Sequence, residues 1–214
     1  IPLVGGTGDS GKVSVNGTIY EDADVYAFVK NNGGKVAVYK ENLYKPMPGD
    51  RFIASNTDRS RYYVGELNGK SSKQAYMDAL HISESNIINQ TFHNPLGKMN
   101  GQDICIISLK EVSGNGLCCY RQVNDSDVLV LLEEQDYNEI LDETLQGSRR
   151  DFNHISGVFS INCVFRYLLF SQEHHMEDYL KTMSTLGDHA GLIGFGEHYN
   201  QQFVNQTMTC VVFE

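Results

Sequence analysis

Residues 13–67 alternate apolar and polar positions in short runs broken by turn-forming residues, the pattern of strands with one buried face. Asn16 and Gly17 split 13–20 into two runs, and Asn31 to Gly34 separate 24–30 from 35–40 as a predicted hairpin. Residues 51–55 and 61–67 form a further pair around 56–60, and Asn68 with Gly69 closes the region. The period then changes. Tyr76, Met77 and Leu80, followed by Ile87, Ile88 and Phe92, fall at helical spacing over 73–80 and 83–92, and Asn94, Pro95 and Gly97 stop them.

Strands return at 104–109, 117–123 and 128–132, the first two around a turn at 113–116. Asp136 with Glu139 makes a capping box for a helix carrying Tyr137, Ile140, Leu141 and Leu145 on one stripe, and Gly147 is its predicted stop. Residues 158–170 form one long apolar run. A helix over 173–186 presents Met176, Tyr179, Leu180 and Met183 before Gly187, and 190–195 and 203–213 are the final strands. Strands outnumber helices and hairpin links dominate, so the predicted class is α+β, a largely antiparallel β-sheet with a few packed helices. The helical pair near 71–92 marks the expected seam between a β-rich segment, 1–69, and a domain over 70–214.

At 214 residues the chain can bury a core without disulfide or metal staples. Its 17 basic against 27 acidic residues, net −10, repel phosphate backbones and anionic membrane surfaces, so nucleic acid is not an expected partner. No run approaches the roughly 20 consecutive apolar residues of a membrane span, and residues 1–6 lack the basic start and apolar body of a secretory signal. The expectation is a cytoplasmic protein with no membrane partner. Cys105, Cys118, Cys119, Cys163 and Cys210 are odd in number, mostly sit in apolar runs and form no C-x-x-C pair, which suits reduced, buried thiols. Asn16, Asn89, Asn124 and Asn205 fit the glycosylation triplet, without consequence in the absence of export. The opening on Ile1 is that expected of a fragment of something longer.

Gly6, Gly11 and Lys12 stand at the G-x-x-x-x-G-K spacing of a phosphate loop. Val13 occupies the position that needs a Ser or Thr hydroxyl for Mg²⁺, and the residues after it alternate like a strand where the loop requires a helix N-terminus. A glycine-rich turn is the expected outcome.

Several stretches fall, in order, along the pattern of the C-terminal half of one known domain family. Residues 74–80 followed by 92–96 resemble its opening helix and stop, and 116–132 its paired strand segment. Residues 159–170 (FSINCVFRYLLF) resemble its C-x-x-R run, 190–197 (AGLIGFGE) its Gly-rich G-E run and 204–209 (VNQTMT) its closing strand, while 3–8 (LVGGTG) match a glycine-rich run near the end of the N-terminal half. The chain thus resembles a FIST sensor domain, which implies a sensory domain of bacterial signal-transduction proteins that binds small ligands such as amino acids; the expected function is non-enzymatic sensing of an amino acid or similar small carboxylate. Some relatives bind haem and sense nitric oxide, and eukaryotic relatives occur in F-box proteins. Partners implied are a small-molecule ligand and the N-terminal FIST half or an effector domain of the same protein.

The candidate site collects the polar residues that the last three apolar runs deliver beside glycines. Arg166, read as lying within an apolar strand, must find an anion because an unpaired buried charge costs several kcal/mol, and its planar fork suits a carboxylate. That anion is either a ligand or an internal partner, most simply Glu197. Glu197 follows Gly194 and Gly196, which allow close approach, and is placed either against a ligand amine or against Arg166. Asn205 and Thr207, two apart, share one strand face and offer amide and hydroxyl groups to a ligand or to their own turn and ladder. Cys163, three residues before Arg166, is a candidate for a lowered thiol pKa, against the ordinary reading of a core cysteine. His174, His175 and Asp178 resemble a metal-ligand cluster, and a histidine is the candidate iron ligand of a haem sensor; a solvated helix surface is the simpler account. The third alternative is an interaction module in which all of these residues are structural.

Overall fold

In a computed structural model that describes residues 1–101 and 103–214, apart from the Asp50 side chain, the chain divides into two compact units. One comprises Ile1–Asn42 with Asp136–Glu214, the other Leu43–Gln135. The strand at 63–67 pairs with segments on both sides of it in sequence, at 54–58 and 117–118, which holds the flanking residues in one unit.

In chain order the first unit contributes Val4–Gly6 (β1), Lys12–Val15 (β2), Thr18–Glu21 (β3) and Val36–Asn42 (β4). The second holds Tyr44–Asp58 (β5), Tyr63–Leu67 (β6), Lys70–Ser71 (β7), Ser72–Leu80 (α1), Ile87–Gln90 (α2), Leu96–Asn100 (β8), Asp103–Ile107 (β9), Leu109–Ser113 (β10), Gly116–Cys119 (β11) and Val128–Glu134 (β12). The chain returns to the first unit with Tyr137–Asp151 (α3), Gly157–Cys163 (β13), Val164–Gln172 (α4), Met176–Met183 (α5), Asp188–Gly194 (β14), Glu197–Tyr199 (β15), Gln202–Val204 (β16) and Thr207–Phe213 (β17). The class is α+β with mostly antiparallel sheet, as the alternation and hairpin links require.

The second unit is built on a sheet in the order β10-β11-β6-β5-β12-β8-β9, with β7 added beside β6. Its core joins Ala54, Val64, Leu67, Leu109, Leu117 and Leu129 with Tyr76 of α1 and Ile87 of α2. Tyr76 is buried to its tip, where the hydroxyl donates to the Asn94 carbonyl at 2.8 Å, as a buried phenol requires. The helix predicted over 83–92 shortens to a 3₁₀ turn at Glu84–Asn86 and the single turn of α2.

In the first unit a four-stranded sheet runs β14-β13-β17-β4, with β13 and β14 parallel and the other pairs antiparallel. The parallel pair is linked through α4 and α5, the crossover that such pairing needs. Helices α3 and α4 pack on strands of this sheet, and the small sheet β1-β15-β16 lies against its other strand faces. β14 is an outer strand, and Leu192 and Ile193 on it are exposed at 45% and 43%. Asp136 caps α3 by accepting from the Asn138 and Glu139 amides. Gly147 does not stop that helix, which runs to Asp151 with Gly147 buried near the Tyr39 ring.

Two further expectations change. Residues 24–30 form no strand; β4 takes β17 as its partner, and Tyr26, Phe28 and Val29 stay exposed. The apolar run at 158–170 is not one element: β13 ends at Cys163 and α4 begins at Val164. Asn16 and Gly17, at φ 51° and 79°, do form the tight turn between β2 and β3. Lys12 opens β2 and pairs with Glu21 at 3.3 Å, so the phosphate-loop spacing leads into a strand.

Candidate functional site

Register in the four-stranded sheet sorts the candidate residues onto two faces. Glu41 lies beside Met208, and Met208 beside Asn162, so Glu41 and Asn162 share a face about 10 Å apart across one strand. Thr207 and Thr209 alternate with Met208 and belong to the other face, as Cys163 alternates with Asn162.

Arg166 belongs to the first of these faces. It sits in the first turn of α4, correcting its expected place in a strand, and is 1% exposed. Its Nη2 donates to Glu41 Oε2 in a buried ion pair, so the internal acid is Glu41 of β4 and not Glu197. The guanidinium carbon stands 4.7 Å from the Phe170 ring centroid, one helical turn along, and 5.4 Å from that of Tyr179 on α5. Arg166 Nε and Nη1, Glu41 Oε1 and Asn162 Oδ1 are buried without hydrogen-bond partners. Asn162 Nδ2 donates to the Tyr179 hydroxyl at 3.0 Å, and Ser160 Oγ meets His189 Nε2 at 2.9 Å. Burial lowers the His189 pKa, which favours the neutral ring.

Glu197, Thr207 and Cys163 meet on the other face. Glu197 of β15 is fully buried; its Oε2 accepts from the Thr207 hydroxyl at 2.6 Å and the Thr207 amide at 3.3 Å, while Oε1 has no partner. Burial raises its pKa to about 7 against these hydrogen bonds and the weaker influence of Arg166. Burial also pushes the Cys163 thiol up to about 12, with the Glu197 carboxylate adding to the rise. The lowered thiol pKa expected from a neighbouring arginine is therefore reversed, and Cys163 is a neutral core thiol.

Asn205 is buried but precedes β17, and Gln206 between it and Thr207 has φ 52°, so the two do not share a face by simple strand alternation. Gly196, at φ 128°, has no room for a Cβ, which would lie 2.5 Å from the Phe203 ring and 3.2 Å from Asn205 Oδ1. Sequence reasoning missed Glu41. Glu41 stands one residue past the strand predicted at 35–40, between Lys40 and Asn42, so no alternation with apolar neighbours marked it as inward-facing.

Among the described residues His174, His175 and Asp178 do not converge as a metal cluster. His175 Nε2 is buried without a partner, yet its ring packs against Phe170 and Tyr137 at centroid distances of 4.8 and 5.3 Å. A haem iron needs an imidazole facing an open slot, which this packing does not give His175.

The family model of the FIST C domain matches residues 73–200. No curated protein and no solved structure matches the chain.

Proposed function

The chain belongs to the FIST C domain family of signal-transduction sensory domains, and from that premise we propose that it senses an amino acid or similar small carboxylate. The observation that carries this reading is the set of buried atoms without partners around Arg166: two donors on the guanidinium and acceptors on Glu41 and Asn162. Buried polar atoms are otherwise almost always satisfied. A zwitterion matches the set, its carboxylate on Arg166 and its ammonium on Glu41 Oε1 and Asn162 Oδ1. Arg166 and Glu41 are each about 1% exposed at the side chain, so a ligand enters only as α4 yields. That requirement couples occupancy to a helix movement, the form of response a sensory domain passes to its output domain. Glu197, Thr207, Asn205 and Gly196 frame the opposite face, and Cys163 fills it as an apolar group. The five free cysteines suit a reducing cytoplasm.

Thermal shift with a panel of amino acids and small carboxylates tests the reading. A ligand at 100 times its Kd stabilises by about 2.7 kcal/mol. The double variant Glu41→Leu with Arg166→Met removes both charges while keeping the volume apolar, a replacement that buried ion pairs tolerate. It is expected to fold and to lose the shift. A shift that persists in the double variant, or no shift with any member of the panel, rejects the reading.

A further inference from the structure

In the second unit, residues from β5, β6 and β7, the loop before β6 and the β10–β11 turn line an open cavity of about 550 Å³. That volume lies within the range of small-molecule sites. Asn56 stands between the registered pairs Ser55–Glu66 and Thr57–Val64, facing Gly65, at φ 53°. A Cβ on Gly65 would fall 2.7 Å from the Asn56 amide nitrogen, and one on Gly116 would fall 2.3 Å from the Tyr63 ring. Two missing side chains thus fix where the Asn56 amide and the Tyr63 phenol stand.

Arg61 and Glu66 are each held by a neighbour and carry more donor or acceptor atoms than that one bond uses. Arg61 lies over the Tyr63 ring at 5.3 Å and gives Nη2 to Ser113 Oγ at 3.2 Å. Glu66 accepts from Ser55 at 2.9 Å through Oε2. No aliphatic side chain is among the described lining residues, which argues against an apolar ligand. One guanidinium and one carboxylate balance, which argues against a polyanion. Guanidinium, carboxylate and amide are planar groups that each present paired donor or acceptor atoms, the complement of adjacent hydroxyls.

We propose that this cavity is a binding site for a neutral saccharide of one or two sugar units, with Arg61 and Glu66 bridging neighbouring hydroxyls and Asn56 completing the set. It is a separate site from the Arg166 cluster and stands without it.

Saturation-transfer NMR on the full chain tests this with D-glucose, D-galactose, maltose, cellobiose and N-acetylglucosamine as probes. At least one is expected to give transfer and a Kd of about 1 mM or below, an affinity that a few hydrogen bonds supply. Arg61→Gln, at an exposed position, and Glu66→Gln, at a half-buried one, are each expected to weaken that binding by about tenfold. Lys181→Ala, on the exposed face of α5 in the first unit, leaves it unchanged. No transfer from any probe, or binding that survives the Arg61→Gln with Glu66→Gln double variant, overturns the proposal. So does tighter binding of glucuronate or glucosamine than of glucose, which marks a site for charged ligands.

Discussion

Arg166 and Glu41 lie 125 residues apart in sequence and form an ion pair that solvent does not reach, tying the first turn of α4 to β4. Removing one partner leaves the other charge buried, which costs about 3–5 kcal/mol. Arg166→Ala is therefore expected to lower stability by that amount in urea unfolding. The Glu41→Leu with Arg166→Met pair should recover most of the loss, and a double variant no more stable than Arg166→Ala would show that the pair is not what holds this face.

Glu197 sets a pH dependence with a definite sign. Its carboxyl is raised from the ordinary 4.5 to about 7 in the folded protein. Between those values the folded state binds more protons than the unfolded one, so the stability it contributes is complete below pH 4.5 and is lost as pH rises through about 7. At about 1.4 kcal/mol per pH unit this is on the order of 3 kcal/mol. Glu197→Gln, which keeps the neutral shape, is expected to flatten that part of the stability profile measured by denaturation from pH 5 to 8.

Thiol reactivity should follow burial. Cys119, Cys163 and Cys210 are pushed up to about 12, and burial raises Cys118 as well. Cys105 is the partly exposed one. Iodoacetamide at pH 8 is expected to label Cys105 first and the other four only after unfolding, read by mass spectrometry. Early labelling of Cys163 would contradict the neutral thiol described beside Glu197.

Two glycines at positive φ separate strain from crowding. Gly69, at φ 72°, has no atom within 4 Å of an added Cβ, whereas Gly196, at φ 128°, would meet Phe203 at 2.5 Å. Gly69→Ala is expected to cost about 1 kcal/mol from backbone conformation alone, and Gly196→Ala about 1–3 kcal/mol more. Equal losses in urea unfolding would mean that the Phe203 ring moves aside freely.

The readable parts of the chain were those whose cause is local. The Asp136 capping box placed the start of α3, and Asn16–Gly17 placed a tight turn, because each acts through backbone groups a few residues away. The break between β13 and α4 was hidden: apolar residues run through Cys163 and Val164 without glycine or proline, and both sides pack into the same unit. Residues 24–30 had the composition of a strand, but among the described residues β4 pairs with β17 alone and ends the sheet, with this segment outside it. Among the site residues, the need of Arg166 for an anion was legible from its surroundings. The identity of that anion was not, because Glu41 reaches it only through the pairing of β4 with β17.

β14 receives hydrogen bonds from β13 along one side, and its Leu192 and Ile193 stand partly in water without a lysine, proline or bulge within the strand to discourage a newcomer. An edge of this kind can template pairing with a second chain, and Ile193→Lys would place a gatekeeper charge on it.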